Sequence, residues 1–259
     1  MNIAERTIFI PGGTSGIGLA LARRFQDTGA HVIIGGRRMG LLAELHESEG
    51  FDTVEIDVSD DASVAEAAAV VIRQHPSVDT IVAMAGIMVA EDWRFPAAAL
   101  EIAQRTVQTN VLGPVRLIAG FVEHLRTKTD ALIMTVSSGL ASVPLAATPT
   151  YSASKAYVHM LSESLRLQLA DSGVRVVELV PPSVRTDLMP GHQDDPAGMP
   201  LDEYVDETMT LLMQADDPHE VLVDRVRMLR FAEVRGEYDR VVATLNANDA
   251  HALDPAAGR

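Results

Sequence analysis

A tyrosine and a lysine spaced four residues apart are the first residues of this sequence that could do chemistry together. Tyr151 and Lys155 fall in the run Tyr-Ser-Ala-Ser-Lys, and a helix there would place both side chains on one face. A free tyrosine has a pKa of about 10, and a neighbouring ammonium is expected to lower it. Tyr151 could then give a proton to a nascent alkoxide or take one from an alcohol. Such a pair also occurs on helix surfaces without any catalytic role, so its meaning depends on what accompanies it.

Two further polar residues accompany the pair. Ser138 follows an apolar run at 131–136, so it would stand at the end of a buried strand and could donate a hydrogen bond to developing negative charge. Asn110 lies inside a long predicted helix, an unfavourable interior position for asparagine unless its side chain has a task. We expect Asn110 to anchor a water that relays protons from Lys155.

The elements that must position these residues alternate between strand and helix. Strands are predicted at 7–10, 31–34, 53–56, 80–84, 131–136 and 174–180, with helices at 17–28, 41–49, 63–74, 100–126 and 151–170. This alternation predicts a single-domain α/β fold, a doubly wound Rossmann-type parallel sheet with helices on both faces. Further helices are predicted at 201–214 and 218–233, and a short one after Gly236. We interpret 187–215, which lies beyond the end of a strand and begins with a stretch rich in proline and glycine, as a mobile lid over the substrate.

A glycine-rich turn connects the first predicted strand to the first predicted helix. It reads Gly12-Gly13-Thr14-Ser15-Gly16-Ile17-Gly18. Glycine lets the backbone approach a pyrophosphate, and the start of the following helix presents free N–H groups and the positive end of its dipole. The turn alone is weak evidence, but its position at the first strand–helix junction predicts a dinucleotide site.

The end of the second predicted strand indicates which dinucleotide is bound. An NAD site normally has an acidic residue there, whereas this chain has Arg37 and Arg38 after two glycines. A guanidinium can bind a 2′-phosphate through two hydrogen bonds, so we expect NADP(H) rather than NAD. The alternative is a solvated arginine pair in a chain that uses arginine freely. Asp57, at the end of the third strand, is placed to meet the adenine amino group.

Composition limits the other classes of function. The net charge of −15 argues against nucleic acid or an anionic membrane as partner. The absence of cysteine excludes disulfides and thiolate chemistry, and no apolar stretch is long enough to span a bilayer. Two charges among residues 1–6 leave no room for a signal peptide, so a cytoplasmic location is expected. Scattered histidines at 75, 124, 159 and 192 form no ligand-spaced pair, and no metal is expected.

Together these motifs resemble those of the single-domain short-chain dehydrogenase/reductases, over residues 7 to about 190. The resemblance implies a catalytic tetrad of Asn110, Ser138, Tyr151 and Lys155. It also implies that Val184 and Thr186 hold the nicotinamide carboxamide. The residues expected to contact NADP(H) are Gly12, Thr14, Ser15, Gly16, Ile17, Gly18, Arg37, Arg38, Asp57, Val58, Ala85, Gly86, Tyr151, Lys155, Pro181, Val184 and Thr186.

The sequence departs from this family pattern in two regions. Pro11-Gly12 and Ala83-Met84-Ala85-Gly86 stand where the family has Thr-Gly and Asn-Asn-Ala-Gly, so we expect an apolar contact in place of a polar tie between turn and strand. The family's final strand is expected to be absent. The C-terminal part instead resembles the subgroup named for the oxidoreductase of the D-alanine–teichoic acid operon.

The resemblance also bears on assembly. Relatives commonly pair through the helices that correspond to 100–126 and 151–170, and the second of these has more apolar surface than one sheet contact needs. We predict a homodimer. A tetramer is less expected, because the final strand contributes to the other interface of many relatives.

Three functions remain open at this point. The first is an NADPH-linked reductase acting on a small ketone or aldehyde, or on the matching alcohol in reverse. The second is an NAD-preferring alcohol dehydrogenase, which Arg37 and Arg38 disfavour. The third is a non-catalytic NADP(H) sensor or partner-binding protein, which would not need Tyr151 and Lys155.

Overall fold

Seven parallel strands form one sheet in the computed structural model, which describes residues 2–215 and 217–247. The spatial order is β3-β2-β1-β4-β5-β6-β7. The strands are β1 (Thr7–Pro11), β2 (His31–Gly36), β3 (Asp52–Glu55), β4 (Thr80–Ala83), β5 (Ala131–Val136), β6 (Val174–Leu179) and β7 (Glu220–Val221). The order reverses between β1 and β4, and this switch point is where open parallel sheets bind ligands, at the carboxyl ends of their strands.

Helices cover both faces of the sheet. They are α1 (Gly16–Asp27), α2 (Met39–Glu49), α3 (Asp61–Gln74), α4 (Pro96–Thr106), α5 (Gly113–Leu125), α6 (Pro149–Gln168), α7 (Leu201–Gln214), α8 (Arg227–Arg230) and α9 (Tyr238–Ala247). One core lies between the sheet and α1, α2 and α7, and a second lies between the sheet and α3, α5 and α6. Both faces of the central strands are therefore buried, which explains their nearly continuous apolar runs. No helix within the described residues is long and apolar enough to cross a membrane.

The long helix predicted at 100–126 is interrupted by a π-helical segment, Val107–Leu112, between α4 and α5. Asn110 is buried within this segment. A π turn inserts one extra residue into a helix and occurs frequently at functional sites. The prediction treats 100–126 as one regular helix, so it does not place this segment.

A buried arginine ties the amino ends of three neighbouring strands together. Arg6 precedes β1 and is only 4% exposed. Its guanidinium donates to the Asp130 carboxylate at 2.6 Å and to the Asp130 backbone oxygen at 2.9 Å, just before β5. It also donates to Thr80 at 3.2 Å, at the start of β4, and lies 3.5 Å from Asp79.

The C-terminal part corrects two expectations. The final strand, expected to be absent, is present as the two-residue β7, which pairs with β6 through Glu220 and Val221. The helix predicted at 218–233 is accordingly wrong; a 3-10 turn and the short α8 follow β7 instead. A two-residue strand is too short to show alternation, so its pairing with β6 decides its conformation. The short helix predicted after Gly236 is present as α9.

The predicted lid at 187–215 consists of two different parts. Residues of α7 such as Tyr204, Val205 and Leu212 are buried and belong to the core beside α1, so α7 is a structural helix. The residues of 187–215 that line the ligand cavity described below all lie in the irregular stretch 187–200. The lid candidate is therefore limited to 187–200, and its role and its movement stay predictions.

Candidate active site

One large cavity, of about 990 Å³, opens at the carboxyl ends of the strands. Every site residue predicted above lines it except Asn110, which lies just behind the wall. The fold thus brings together the glycine-rich turn, the arginines after β2 and the Ser–Tyr–Lys group, although up to 174 positions separate them along the chain, from Gly12 to Thr186. Their roles remain predictions.

The glycine-rich turn forms a cradle that side chains would fill. Gly12 has φ +85°, and a Cβ there would lie 2.9 Å from Ala85 Cα. A Cβ at Gly18 would lie 2.2 Å from the Gly12 carbonyl oxygen, so α1 could not begin so close to β1 with a larger residue. The first backbone N–H groups of α1 are therefore presented to the cavity, where they suit a pyrophosphate.

The expected apolar tie between this turn and β4 is present. Met84 Cγ lies 3.1 Å from the Cβ position of Gly18, and Met84 packs against the core beside α1. Ala85 lies directly against Gly12. Van der Waals contact thus takes the place of the polar tie of the family pattern.

Two arginines line the adenosine end of the cavity. Arg38 donates to Thr14 Oγ1 at 3.1 Å and to Ser15 Oγ at 3.3 Å, so the turn holds its guanidinium in place. Arg37 is exposed and lies 3.9 Å from Asp57, whose carboxylate accepts hydrogen bonds from Ser59. The pKa of Asp57 is lowered: partial burial opposes this, and the Ser59 hydrogen bonds and Arg37 outweigh it. Asp57 is therefore a charged acceptor, and the residues at this end fit a phosphorylated adenosine ribose.

Tyr151 stands at the other end of the cavity, in the first turn of α6. Its ring is buried among Met88, Leu145 and Ala147, and its hydroxyl forms a hydrogen bond with Ser138. Burial raises the pKa of Tyr151 to about 12, and the Ser138 hydrogen bond opposes this only in part. The expectation that Lys155 brings this pKa below its usual value is therefore wrong for the folded chain, since enclosure penalises the phenolate more strongly. At neutral pH Tyr151 keeps its proton and is suited to donate it.

Ser138 lies just after the carboxyl end of β5, as predicted from its position after the apolar run. Its Oγ accepts a hydrogen bond from the Leu140 backbone N–H at 3.1 Å, so its own hydrogen can be donated into the cavity. The backbone of this turn is fixed by a bond from Gly139 N–H to the Pro181 oxygen at 2.9 Å. The backbone therefore holds Ser138 in place, and its hydroxyl can donate a hydrogen bond to a substrate oxygen beside Tyr151.

Lys155 lies one helical turn beyond Tyr151 and points toward the same end of the cavity. It is 6% exposed, its Nζ lies 5.4 Å from the centre of the Tyr151 ring, and it donates to the Val136 oxygen at 2.8 Å. Burial lowers the pKa of Lys155 to about 8, and the Glu178 carboxylate opposes this. The ammonium is thus the main form at neutral pH, beside a group that must handle negative charge.

The Asn110 side chain forms hydrogen bonds just behind the wall of the cavity. Its Oδ1 accepts from Ile87 N–H at 2.9 Å, and its Nδ2 donates to the Ile87 oxygen at 2.8 Å and to Ser154 Oγ at 3.2 Å. Most of its hydrogen-bonding capacity is therefore used within the protein. The predicted role as a water anchor stays a prediction, and only the second lone pair of Oδ1 is left for it on this side chain.

Sequence reasoning missed Glu91, a buried carboxylate at the start of α6. Glu91 is 2% exposed and accepts hydrogen bonds from Thr150 N–H at 3.0 Å, Thr150 Oγ1 at 2.7 Å and Trp93 Nε1 at 3.2 Å. A negative charge at a helix N-terminus is favourable, and here it fixes the turn that carries Tyr151. The sequence does not reveal this contact, because Glu91 and Thr150 are 59 positions apart and no local pattern links them.

The segment after β6 crosses above the glycine-rich turn. Thr186 lies 3.6 Å from the Cβ position of Gly16, and Val184 is buried. Val184 pairs with Met199 in a parallel bridge, which closes the base of the 187–200 stretch. Within the loop, Arg185 donates to the backbone oxygens of Asp195 at 3.0 Å and Pro196 at 3.2 Å. The lid candidate is therefore a loop closed at its base and braced by one guanidinium.

Two groups of possible metal ligands are brought together only by the fold. His31, Asp52 and His75 meet at the amino ends of the strands, the edge opposite the cavity. The other group is His159, Glu178 and Glu220, behind α6. The prediction that the chain holds no metal stays a prediction. Both groups are internally hydrogen-bonded or ion-paired.

Comparisons with known proteins place these features in one family. Residues 6–197 match the family model described as short chain dehydrogenase. The uncharacterized oxidoreductase DltE of Bacillus subtilis is 34% identical over 254 residues, which are 96% of this chain and 100% of that protein. The NADP-dependent 3-hydroxy acid dehydrogenase YdfG of Salmonella typhi is 30% identical over 67% of this chain and 71% of its own length. A short chain dehydrogenase from Burkholderia cenocepacia, solved in complex with NADP, has a TM-score of 0.77 at 25% identity and covers 98% of this chain and 100% of its own. This chain therefore belongs to the short-chain dehydrogenases and is an oxidoreductase of that family.

Proposed function

We propose that this chain is an NADPH-dependent carbonyl reductase. The observation that carries the proposal is one cavity with an arginine-lined end beside the glycine-rich turn and, at its other end, a protonated tyrosine beside a serine and a lysine. The NADP bound by the Burkholderia relative and the NADP-dependence of the Salmonella relative support the choice of cofactor.

The residues of this chain would divide the work as follows. NADPH, when bound, supplies the hydride. Ser138 would donate a hydrogen bond to the carbonyl oxygen and so stabilise the charge that develops on it. Tyr151 would donate its proton to that oxygen, and the Lys155 ammonium would stabilise the phenolate left behind. Because burial keeps Tyr151 protonated at neutral pH, its hydroxyl is in the form that donates a proton during reduction.

The side chains beside Tyr151 favour substrates with an apolar body. Apolar side chains that line this end of the cavity are Met88, Leu140, Leu145, Met228, Leu229, Val241 and Leu245, and the polar side chains of Arg240 and Thr244 line it beside them. The hydroxyl groups of a substrate lose their hydrogen bonds to water when they enter the cavity, and apolar side chains cannot replace those bonds. Alkyl and aryl ketones should therefore be turned over faster than polyhydroxylated ketones of the same size.

The test is NADPH oxidation with such a ketone panel, followed spectrophotometrically, for wild type and for Tyr151→Phe. The variant keeps the ring packing and removes the proton donor, so turnover should fall at least about a hundredfold. NADPH affinity, measured by fluorescence titration, should stay close to that of the wild type. Tyr157→Phe is the matched control, since Tyr157 lies on the outer side of the same helix. Turnover by Tyr151→Phe near the wild-type rate would contradict the proposal.

The same assay separates the alternatives. Turnover with NADH at least equal to that with NADPH would favour an NAD-preferring dehydrogenase. Tight NADPH binding without turnover of any ketone or alcohol would favour a sensor or partner-binding protein. The first outcome is not expected because of Arg37 and Arg38. The second is not expected because a non-catalytic nucleotide site does not need Ser138, Tyr151 and Lys155 in one cavity.

A further inference from the structure

A buried carboxylate lies behind the helix that carries Tyr151 and Lys155. Glu178, on β6, is fully buried. Its Oε2 accepts a hydrogen bond from His159 Nδ1 at 2.8 Å, and its Oε1 has no hydrogen-bond partner among the described residues. Burying a half-satisfied carboxylate costs stability, so an apolar residue would suit this strand position better on packing grounds alone.

Glu178 faces the helix that carries the Lys155 ammonium. His159 follows Lys155 by one helical turn, so both side chains project from the same face of α6 toward the sheet. Lys155 donates to the oxygen of Val136 on β5, and Val136 pairs with Leu179, the residue after Glu178. Both groups are buried against α6, the ammonium beside β5 and the carboxylate on the neighbouring β6, and charges interact strongly where water is scarce.

The charged groups continue from this layer to the surface with alternating sign. His159 also lies 3.9 Å from Glu220 on β7, and Glu220 pairs with Arg230 on α8 at 2.6 Å. Glu178 raises the pKa of His159, chiefly through their hydrogen bond. The titratable and charged groups around Glu178 and its partners are Lys155, His159, Glu163 and Arg166 on α6, His219 and Glu220 at β7, and Arg230 on α8.

We propose that Glu178 is a positioning residue of the reaction: its buried carboxylate, paired with His159, keeps the Lys155 ammonium charged beside Tyr151. The inference rests on the proposed function, because the charge on Lys155 matters for stabilising the Tyr151 phenolate. Burial alone works against that charge, and the carboxylate opposes this effect. Glu178 thus acts through Lys155 and does not touch the substrate.

The composition of the chain allows a direct test, because Lys128 and Lys155 are its two lysines. Protein labelled with ¹³Cε-lysine gives two side-chain signals by NMR, and Lys128→Arg identifies them. Titration with pH then reports the charge of Lys155 in the absence of substrate, and the half-buried Lys128, which bonds to the Pro76 oxygen, serves as an internal reference. The comparison uses wild type, Glu178→Gln, Glu178→Asp and the control Glu163→Gln, which removes an outer carboxylate of the same helix.

Removal of the carboxylate should move the titration midpoint of Lys155 to lower pH. In Glu178→Gln we expect a shift of at least roughly half a pH unit, with Lys128 unchanged. Glu178→Asp should restore most of the wild-type midpoint, and Glu163→Gln should leave it in place. In the wild type, Glu178 keeps Lys155 charged up to a higher pH. The loss of kcat/KM with rising pH should therefore begin at a lower pH in Glu178→Gln.

Other outcomes would overturn the inference. An unchanged Lys155 midpoint in Glu178→Gln would do so, as would an equal shift in Glu163→Gln, which would indicate a general effect of surface charge. A purely structural role predicts a lower unfolding temperature with an unmoved midpoint. Should Glu178→Gln not fold, Glu178→Leu makes the same comparison with an apolar side chain. Because the NMR titration needs no turnover, a failure of the proposed reductase activity would be seen separately, in the ketone assay.

Discussion

Arg38 is the residue whose placement bears most on cofactor choice. Its guanidinium is already held by Thr14 and Ser15, so little rotamer entropy is lost when a phosphate binds. Arg37 beside it is exposed and can close on the same group. We therefore expect Arg38 to bind the phosphate from a fixed position and Arg37 to adjust its conformation to it.

Arg38→Ala should weaken NADPH binding about ten- to a hundredfold, which corresponds to roughly 1.5–3 kcal/mol for a charge-assisted contact. NADH binding should change little, because the cofactor lacks the 2′-phosphate. Fluorescence titration with both cofactors measures the ratio, and Arg23→Ala, outside the cavity on α1, is the control. Equal losses for NADPH and NADH would show that Arg38 supports the glycine-rich turn rather than the phosphate.

At the scale of elements, the start of α6 depends on a residue from a distant loop. Glu91→Ala would remove two hydrogen bonds and a favourable charge from the first turn of this helix, and also the hydrogen bond from Trp93. We expect a loss of about 1–3 kcal/mol in the free energy of unfolding, together with reduced turnover because Tyr151 lies one residue after Thr150. Chemical denaturation and the ketone assay measure the two effects, with Glu101→Ala on the exposed side of α4 as control. Reduced stability at unchanged turnover would mean that Tyr151 is positioned by its other contacts.

The elements that could be predicted from sequence are those with their own periodic signal. The first six strands and the helices around Tyr151 and Leu201 lie within a few residues of their predicted bounds. Residues whose conformation is decided by distant partners could not be placed in this way. The pairing of Glu220 with β6, the burial of Glu91 and the π turn at Asn110 all depend on contacts that no local pattern contains. For the same reason the raised pKa of Tyr151 was missed, since enclosure is a property of the folded chain.

At the scale of the whole molecule, the outer faces of α4 and α6 carry several exposed apolar side chains. α4 packs against α6, and the large apolar side chains exposed along them and the π segment are Leu100, Val107, Tyr157, Met160 and Leu167. Met160 is 62% and Leu167 81% exposed. We propose that this surface pairs with its own copy in a homodimer, with about 25 cal/mol contributed for each Å² of apolar area buried. The presence of a short β7 does not change this expectation, because two residues offer little surface for a tetramer.

Sedimentation at micromolar concentration measures the state of the wild type and of Met160→Glu. The variant would place a charge opposite its own copy near the two-fold axis, so it should sediment as a monomer. Val234→Glu, at a similarly exposed apolar residue elsewhere, should stay dimeric. A monomeric wild type would rule out the dimer.

The amino edge of the sheet is held by Arg6, far from the cavity. Arg6→Met keeps much of the apolar stem but leaves Asp79 partly buried without its cation. Burial already raises the pKa of Asp79, so we expect a loss of about 3 kcal/mol in the free energy of unfolding at neutral pH. Denaturation in urea measures it, and the loss should shrink as the pH falls and Asp79 becomes protonated. A pH-independent loss would assign the effect to packing.

The π turn at Val107–Leu112 has a consequence for insertions and deletions. Removing one residue from it would return the helix to 3.6 residues per turn and rotate α4 relative to α5 by about 100°. The apolar side chains of α4 would then turn away from α6, and Asn110 could not meet Ile87 and Ser154 together. A one-residue deletion here should be far more harmful than any single substitution at its exposed positions. For this stretch, the number of residues is a stricter requirement than their identity.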